Sequence, residues 1–172
     1  MTIVLYLSMA LAIFATVMVI TRQNAVHALL YLIASLLAVA VVFFLLGAHF
    51  VAALEVIIYA GAIMVLFVFV IMMLNLGHPA TQQEKHWHQP RMWLGPGLIG
   101  LILLGEFLYV VSQPGAGLTG LTPITPQAVG MALYGPYVLG VELASFLLLA
   151  GLIGAFHLGR GEDASLRAEE KS

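Results

Sequence analysis

No cysteine occurs in the 172 residues. That excludes disulfides, thiolate-held iron–sulfur clusters and cysteine nucleophiles, whichever compartment the loops face. Charge is nearly as scarce, with Asp, Glu, Lys and Arg making up 8 % of the chain against roughly 25 % in ordinary soluble domains. None of the six basic residues falls inside a long apolar run. There is no phosphate loop, dinucleotide fingerprint or nucleophile motif, no fixed-period repeat, and no polar segment long enough to fold as a soluble domain. The first apolar stretch lacks the basic n-region and small-residue cleavage site of a secretory signal, so it is expected to remain as a helix.

What is present is apolar surface: 62 % of the residues are hydrophobic and the mean hydropathy is +1.07. Five stretches, about 3–20, 28–47, 52–76, 92–111 and 138–157, each approach the ~20 residues that cross ~30 Å of hydrocarbon. The expected fold is an all-α integral membrane protein with five transmembrane helices over residues 1–160 and a charged, solvated tail over 161–172. Arg22, Lys85, Arg91, Arg160, Arg167 and Lys171 all fall on one side of these spans. Retention of positive charge on the cytoplasmic side then places the N-terminus in the periplasm and the C-terminus in the cytoplasm.

Local signals refine the connections. Asn24 is suited to cap the second helix, and the short turn "TRQNAVH" makes helices one and two antiparallel neighbours, as "GAHF" does for two and three. Pro79 and Pro90 break the cytoplasmic segment, while Trp87 and Trp93 fit an interfacial belt. Thr125 followed by Pro126 reads as an N-cap and first helical residue, so "PQAVGMALYG" is expected to form a short interfacial helix, with Tyr134 and Tyr137 at belt depth.

Three acids lie within the spans: Glu55, Glu106 and Glu142. An ionisable residue at such depth is a functional-site candidate by default; the bland reading is that each reaches outer water or carries a proton. With no Lys or Arg inside any span, each acid must be neutral, hydrated or paired with a cation on another polypeptide. An independent pump needs a chain of intramembrane acids and commonly a lysine, so these isolated acids suit a subunit that contributes part of a site. Glu55 and Tyr59 are four apart and project from one helix face, where the phenol can bond the carboxyl, a water or a backbone carbonyl. Gly61, in "YAGAIM", invites either close helix packing or a local π-bulge.

The histidines carry weaker signals. His27 and His157 fall at the cytoplasmic ends of their helices and His49 at the opposite end. His78, His86 and His88 lack the acidic or cysteine companions of a metal site, so no metal or cofactor is expected on this chain.

The block "NAVHALLYLIASLLAVAVVFFLLGAHFVAALEVIIYAGAIMVLFVFVIMMLNLG", residues 24–77, closely resembles the subunit J family of bacterial proton-pumping NADH:quinone oxidoreductase, respiratory complex I, the homologue of mitochondrial NADH dehydrogenase subunit 6. "GPYVLGVELASFLLLAGLIGAFHLGR", residues 135–160, resembles the last helix of that family. The resemblance implies a non-redox, membrane-arm subunit of the bacterial inner membrane. Other subunits would hold FMN and the iron–sulfur clusters and bind NADH and quinone. Its expected neighbours are the lipid bilayer and membrane subunits K, A, H and N, with no nucleic acid.

The resemblance also implies a π-bulge at the stretch matching Tyr59 to Val65. Switching between bulged and regular forms would gate a water path, with Glu55 and Tyr59 as polar stations, Ala60, Gly61 and Ala62 letting the helix change register, Met64, Val65 and Phe67 as moving bulk, and Glu142 as a further candidate for the path. Glu106 is outside the family pattern and is given no role in that path. The rival readings are a structural or assembly subunit, in which helix three only packs, and a subunit of a non-redox cation antiporter.

Overall fold

The computed structural model describes residues 1–73, 90–113 and 122–169, and every regular element among them is helical. Pro79, Lys85, Trp87, Lys171 and the histidines at 78, 86 and 88 lie outside the described residues. Two compact units are present, Met1–Ile124 and Thr125–Ser172.

The first unit contains α1 (Thr2–Thr21), α2 (Ala25–Leu45) and α3 (His49–Leu54), then a π-helical stretch (Glu55–Ile63) that continues into α4 (Met64–Met73), and finally α5 (Pro90–Ser112). The second unit contains α6 (Pro126–Tyr134) packed with α7 (Val138–Glu169). Five segments are long and apolar enough to span a bilayer: Thr2–Thr21, Ala25–Leu45, His49–Ile71, Trp93–Ser112 and Val138–Gly159. All five expected spans are found. The last helix does not stop at the apolar boundary but runs on through the charged residues to Glu169.

The helix ends follow the chemistry read from the sequence. The Asn24 side chain accepts a 3.1 Å hydrogen bond from the His27 N–H, and Thr125 Oγ1 accepts one of 3.2 Å from the Ala128 N–H. Each satisfies one of the first orphan donors of its helix. At the far end of α2, the Gly47 N–H donates to the Phe44 carbonyl and the Ala48 N–H to the Phe43 carbonyl, both at 3.0 Å. This is a Schellman cap, which turns the chain through a left-handed residue at C′. Gly47 supplies it, with φ of 82°, and is the one described residue at positive φ.

α2 is the centre of the first unit, touching α1, the whole third span and α5. Lipid tails are as apolar as leucine, so burial alone gives helices little reason to associate; close backbone approach and interhelical hydrogen bonds do so instead. α2 carries both. Ala34, Ala38 and Ala40 are buried along it, and Ser35 Oγ lies 2.8 Å from Thr16 Oγ1 of α1. The buried core joins Leu5 and Ala15 of α1, Tyr31, Ala38 and Leu45 of α2, and Ile99, Leu103 and Val110 of α5. Arg22, just past α1, sits 5.5 Å from the Tyr31 ring centre, closing this end with a cation–π contact.

The third span is different. Among the residues whose burial is described, Ala52 and Met64 are the buried ones along it, while Ile57, Tyr59, Val65, Leu66, Phe67 and Phe69 are exposed. It uses one narrow side to rest on α2 and leaves the rest of its circumference open.

Candidate functional site

The middle of the third span departs from the α-helical ladder for nine residues, Glu55–Ile63. The Met64 N–H closes this stretch by reaching the Tyr59 carbonyl, five residues back. That bond widens the turn by one residue relative to an α-helix. Gly61 lies in this turn, where a Cβ would lie 3.0 Å from the Val56 carbonyl oxygen, a tight contact that would require the neighbour to give by a few tenths of an ångström. The resemblance put the bulge over Tyr59 to Val65; the widened stretch covers Tyr59 to Ile63 of that window, begins a turn earlier at Glu55, and leaves Met64 and Val65 in regular helix.

The gating candidates are spread around this turn. Glu55 opens the π-helical stretch and is half-buried, and Tyr59, at its centre, is 52 % exposed. No hydrogen bond joins Glu55 to Tyr59. Met64 is buried, whereas Val65 and Phe67 are exposed, so the three residues expected to supply moving bulk differ in their surroundings. Glu142 belongs to the second unit, on α7, where it is exposed.

Beside the π-helical stretch the first unit has a cleft of about 650 Å³. Val41 and Phe44 of α2, Ala53 and Val56 of the third span, and Leu103 and Phe107 of α5 contribute to its walls, and His49 is its one ionisable lining residue. Phe44 anchors the walls, with its ring edge-on to His49 at 4.4 Å and to Phe107 at 5.7 Å. A space so apolar suits hydrocarbon better than ions. Among the described residues no group of three His, Asp or Glu side chains is placed to hold a metal ion.

One buried polar contact was not anticipated from the sequence. Glu106 of α5, only 8 % exposed, is hydrogen-bonded through Oε2 to Ser8 Oγ of α1 at 2.7 Å. A signal for this pair did exist: Ser8 is six residues inside one end of α1 and Glu106 six residues inside the facing end of α5. At 1.5 Å per residue both sit about 9 Å deep.

Comparison with known proteins gives a consistent result. The family described as NADH-ubiquinone/plastoquinone oxidoreductase chain 6 matches residues 15–158. NADH-quinone oxidoreductase subunit J of Escherichia coli (strain K12) is 58 % identical over 160 residues, covering 92 % of this chain and 86 % of the relative. The protein of the same description from Pseudomonas aeruginosa is 57 % identical over 157 residues, covering 90 % and 94 %. That of Buchnera aphidicola subsp. Schizaphis graminum is 48 % identical over 160 residues, covering 93 % and 98 %.

Proposed function

Since the chain belongs to the NADH-ubiquinone/plastoquinone oxidoreductase chain 6 family and is a subunit J of a proton-pumping NADH:quinone oxidoreductase in a bacterial inner membrane, we propose that its third span is the moving part through which quinone reduction is coupled to proton translocation. The chain contributes no redox chemistry. Electrons pass from NADH through flavin and iron–sulfur clusters to quinone on other subunits, and this subunit responds to that reaction by changing the winding of one helix.

The observation that carries the reading is the nine-residue π-helical stretch Glu55–Ile63 in the middle of an otherwise apolar span. A π-helical turn and an α-helical turn differ by one hydrogen-bond register, so conversion rotates everything on one side of the turn relative to the other. In the wide form, Glu55 and Tyr59 present a carboxyl and a phenol to a line of water; rewinding turns Tyr59 away and carries Met64, Val65 and Phe67 into new positions. Such a two-state element needs only a few kcal/mol between its forms. The exposed circumference of the third span is the surface through which the path continues into neighbouring membrane subunits, for which K, A, H and N are the candidates. The basic residues put the N-terminus in the periplasm and the C-terminus in the cytoplasm, which sets Glu55, Glu106 and Glu142 nearer the periplasmic side.

The experiment is Gly61→Leu in the assembled complex, with coupled NADH:quinone turnover and proton pumping measured beside NADH oxidation by an artificial acceptor. Loss of the first two with retention of the third supports the reading. Wild-type pumping in a fully assembled Gly61→Leu complex overturns it, and equal loss of all three marks failed assembly.

A further inference from the structure

Glu106 stands apart from the third span and from the path proposed there. It is an acid inside a membrane-spanning segment, buried against a different helix, and no Lys or Arg lies in any of the five spans. The core on its side of α5 is apolar, built from Leu5, Leu45, Leu103 and Val110. Its one bonded neighbour is Ser8, which is fully buried on α1.

The hydrogens at this junction can be counted. Two short oxygen–oxygen contacts meet at Ser8 Oγ, one of 2.7 Å to Glu106 Oε2 and one of 3.0 Å to the Val4 carbonyl. Serine has a single hydroxyl hydrogen. If Glu106 were an ionised carboxylate, that single hydrogen would have to be shared between the two contacts, weakening both. The charge would also keep at most one donor, because Oε1 is buried without a partner. If Glu106 carries a proton on Oε2, two hydrogens serve two contacts. The acid donates to Ser8 Oγ at the usual O–H···O distance, and Ser8 donates to the Val4 carbonyl. Oε1 is then the carbonyl oxygen of a neutral acid, whose burial costs far less than that of an unpaired charge.

We propose that Glu106 is a proton-holding site of the fourth span: a neutral carboxylic acid closed by Ser8 between the first and fourth spans, with Oε1 buried as its carbonyl oxygen. The site is independent of the π-helical stretch. It fixes α5 against α1, and the next residue, Phe107, is the one that meets Phe44 on the wall of the cleft. Release of the proton would leave one hydrogen for two contacts and an unpaired charge in the core, so occupancy of Glu106 governs how firmly that wall is held.

The test is an infrared difference spectrum of the assembled complex in membranes, wild type minus Glu106→Gln, repeated in a Ser8→Ala background. The expected difference holds the carbonyl stretch of a protonated carboxylic acid, lost in Glu106→Gln and shifted in frequency by Ser8→Ala. The stretches of an ionised carboxylate in its place overturn the proposal. So does a band that Ser8→Ala leaves unmoved. Glutamine keeps the shape and donor of the neutral acid, so failure of the Glu106→Gln complex to assemble also counts against it.

Discussion

The Val56 carbonyl oxygen lies 3.0 Å from the point where any residue other than glycine at position 61 would place its Cβ. Alanine adds only that one carbon and gains about 1 kcal/mol over glycine in a regular helix. Gly61→Ala is therefore expected to favour the α-helical form by at least a factor of about five. A structure of the variant complex should have the Glu55–Ile63 stretch partly or wholly rewound, with coupled turnover lowered and artificial-acceptor reduction unchanged. An unaltered π-helical stretch would show that glycine is not what permits it.

Glu55→Gln and Tyr59→Phe each remove one polar station and almost no volume. If both act on a single line of water, either change lowers the number of protons pumped per NADH, and the double variant is no worse than the more affected single one. Simple addition of the two effects would mean that the residues act separately. Quinone reduction by uncoupled membranes should be unaffected throughout.

Thr16 Oγ1 and Ser35 Oγ join α1 to α2 at 2.8 Å. Interhelical bonds of this kind in membranes are worth about 0.6 kcal/mol on average. A double-mutant cycle of Thr16→Ala and Ser35→Ala, read by thermal dissociation of this subunit from the complex, should give a coupling energy of about that size. A value near zero would mean that each hydroxyl is satisfied equally well by donating to the Ala12 carbonyl, which lies 2.8 Å from Thr16 Oγ1 and 3.2 Å from Ser35 Oγ.

Gly47→Ala places a Cβ on a residue with φ of 82°. Left-handed geometry costs an alanine roughly 1–2 kcal/mol, and the open space around Gly47 offers no steric objection beyond ordinary contact with Thr122 and Pro123. The expected outcome is a modest loss of thermal stability with normal turnover. Loss of turnover without loss of stability would indicate that the turn has a role beyond connecting the second and third spans.

The five spans could be read directly because hydrocarbon thickness tests each segment separately, by its own length and polarity, and needs no knowledge of its neighbours. The caps at Asn24 and Thr125 were legible for a similar reason: each bond closes within three residues. Gly61 was visible as a weak point, but spacing favoured close packing over a bulge. The bulge was pointed to only by the family resemblance, and its start at Glu55 came from the structure. Ser8 and Glu106, 98 residues apart, shared a depth that could be computed, but depth alone does not say which helix faces which.

The sequence by itself determined that this is a membrane protein with five segments fit to span a bilayer, because that choice is settled by local chemistry against a uniform solvent. Only the tertiary structure decided that α2 would be the hub, that Glu106 would be closed by Ser8, and that the third span would rest on α2 by one narrow side. Helices in lipid gain little from burying one leucine rather than another, so their pairing depends on small-residue fit and a few hydrogen bonds whose partners are known only once the helices have met.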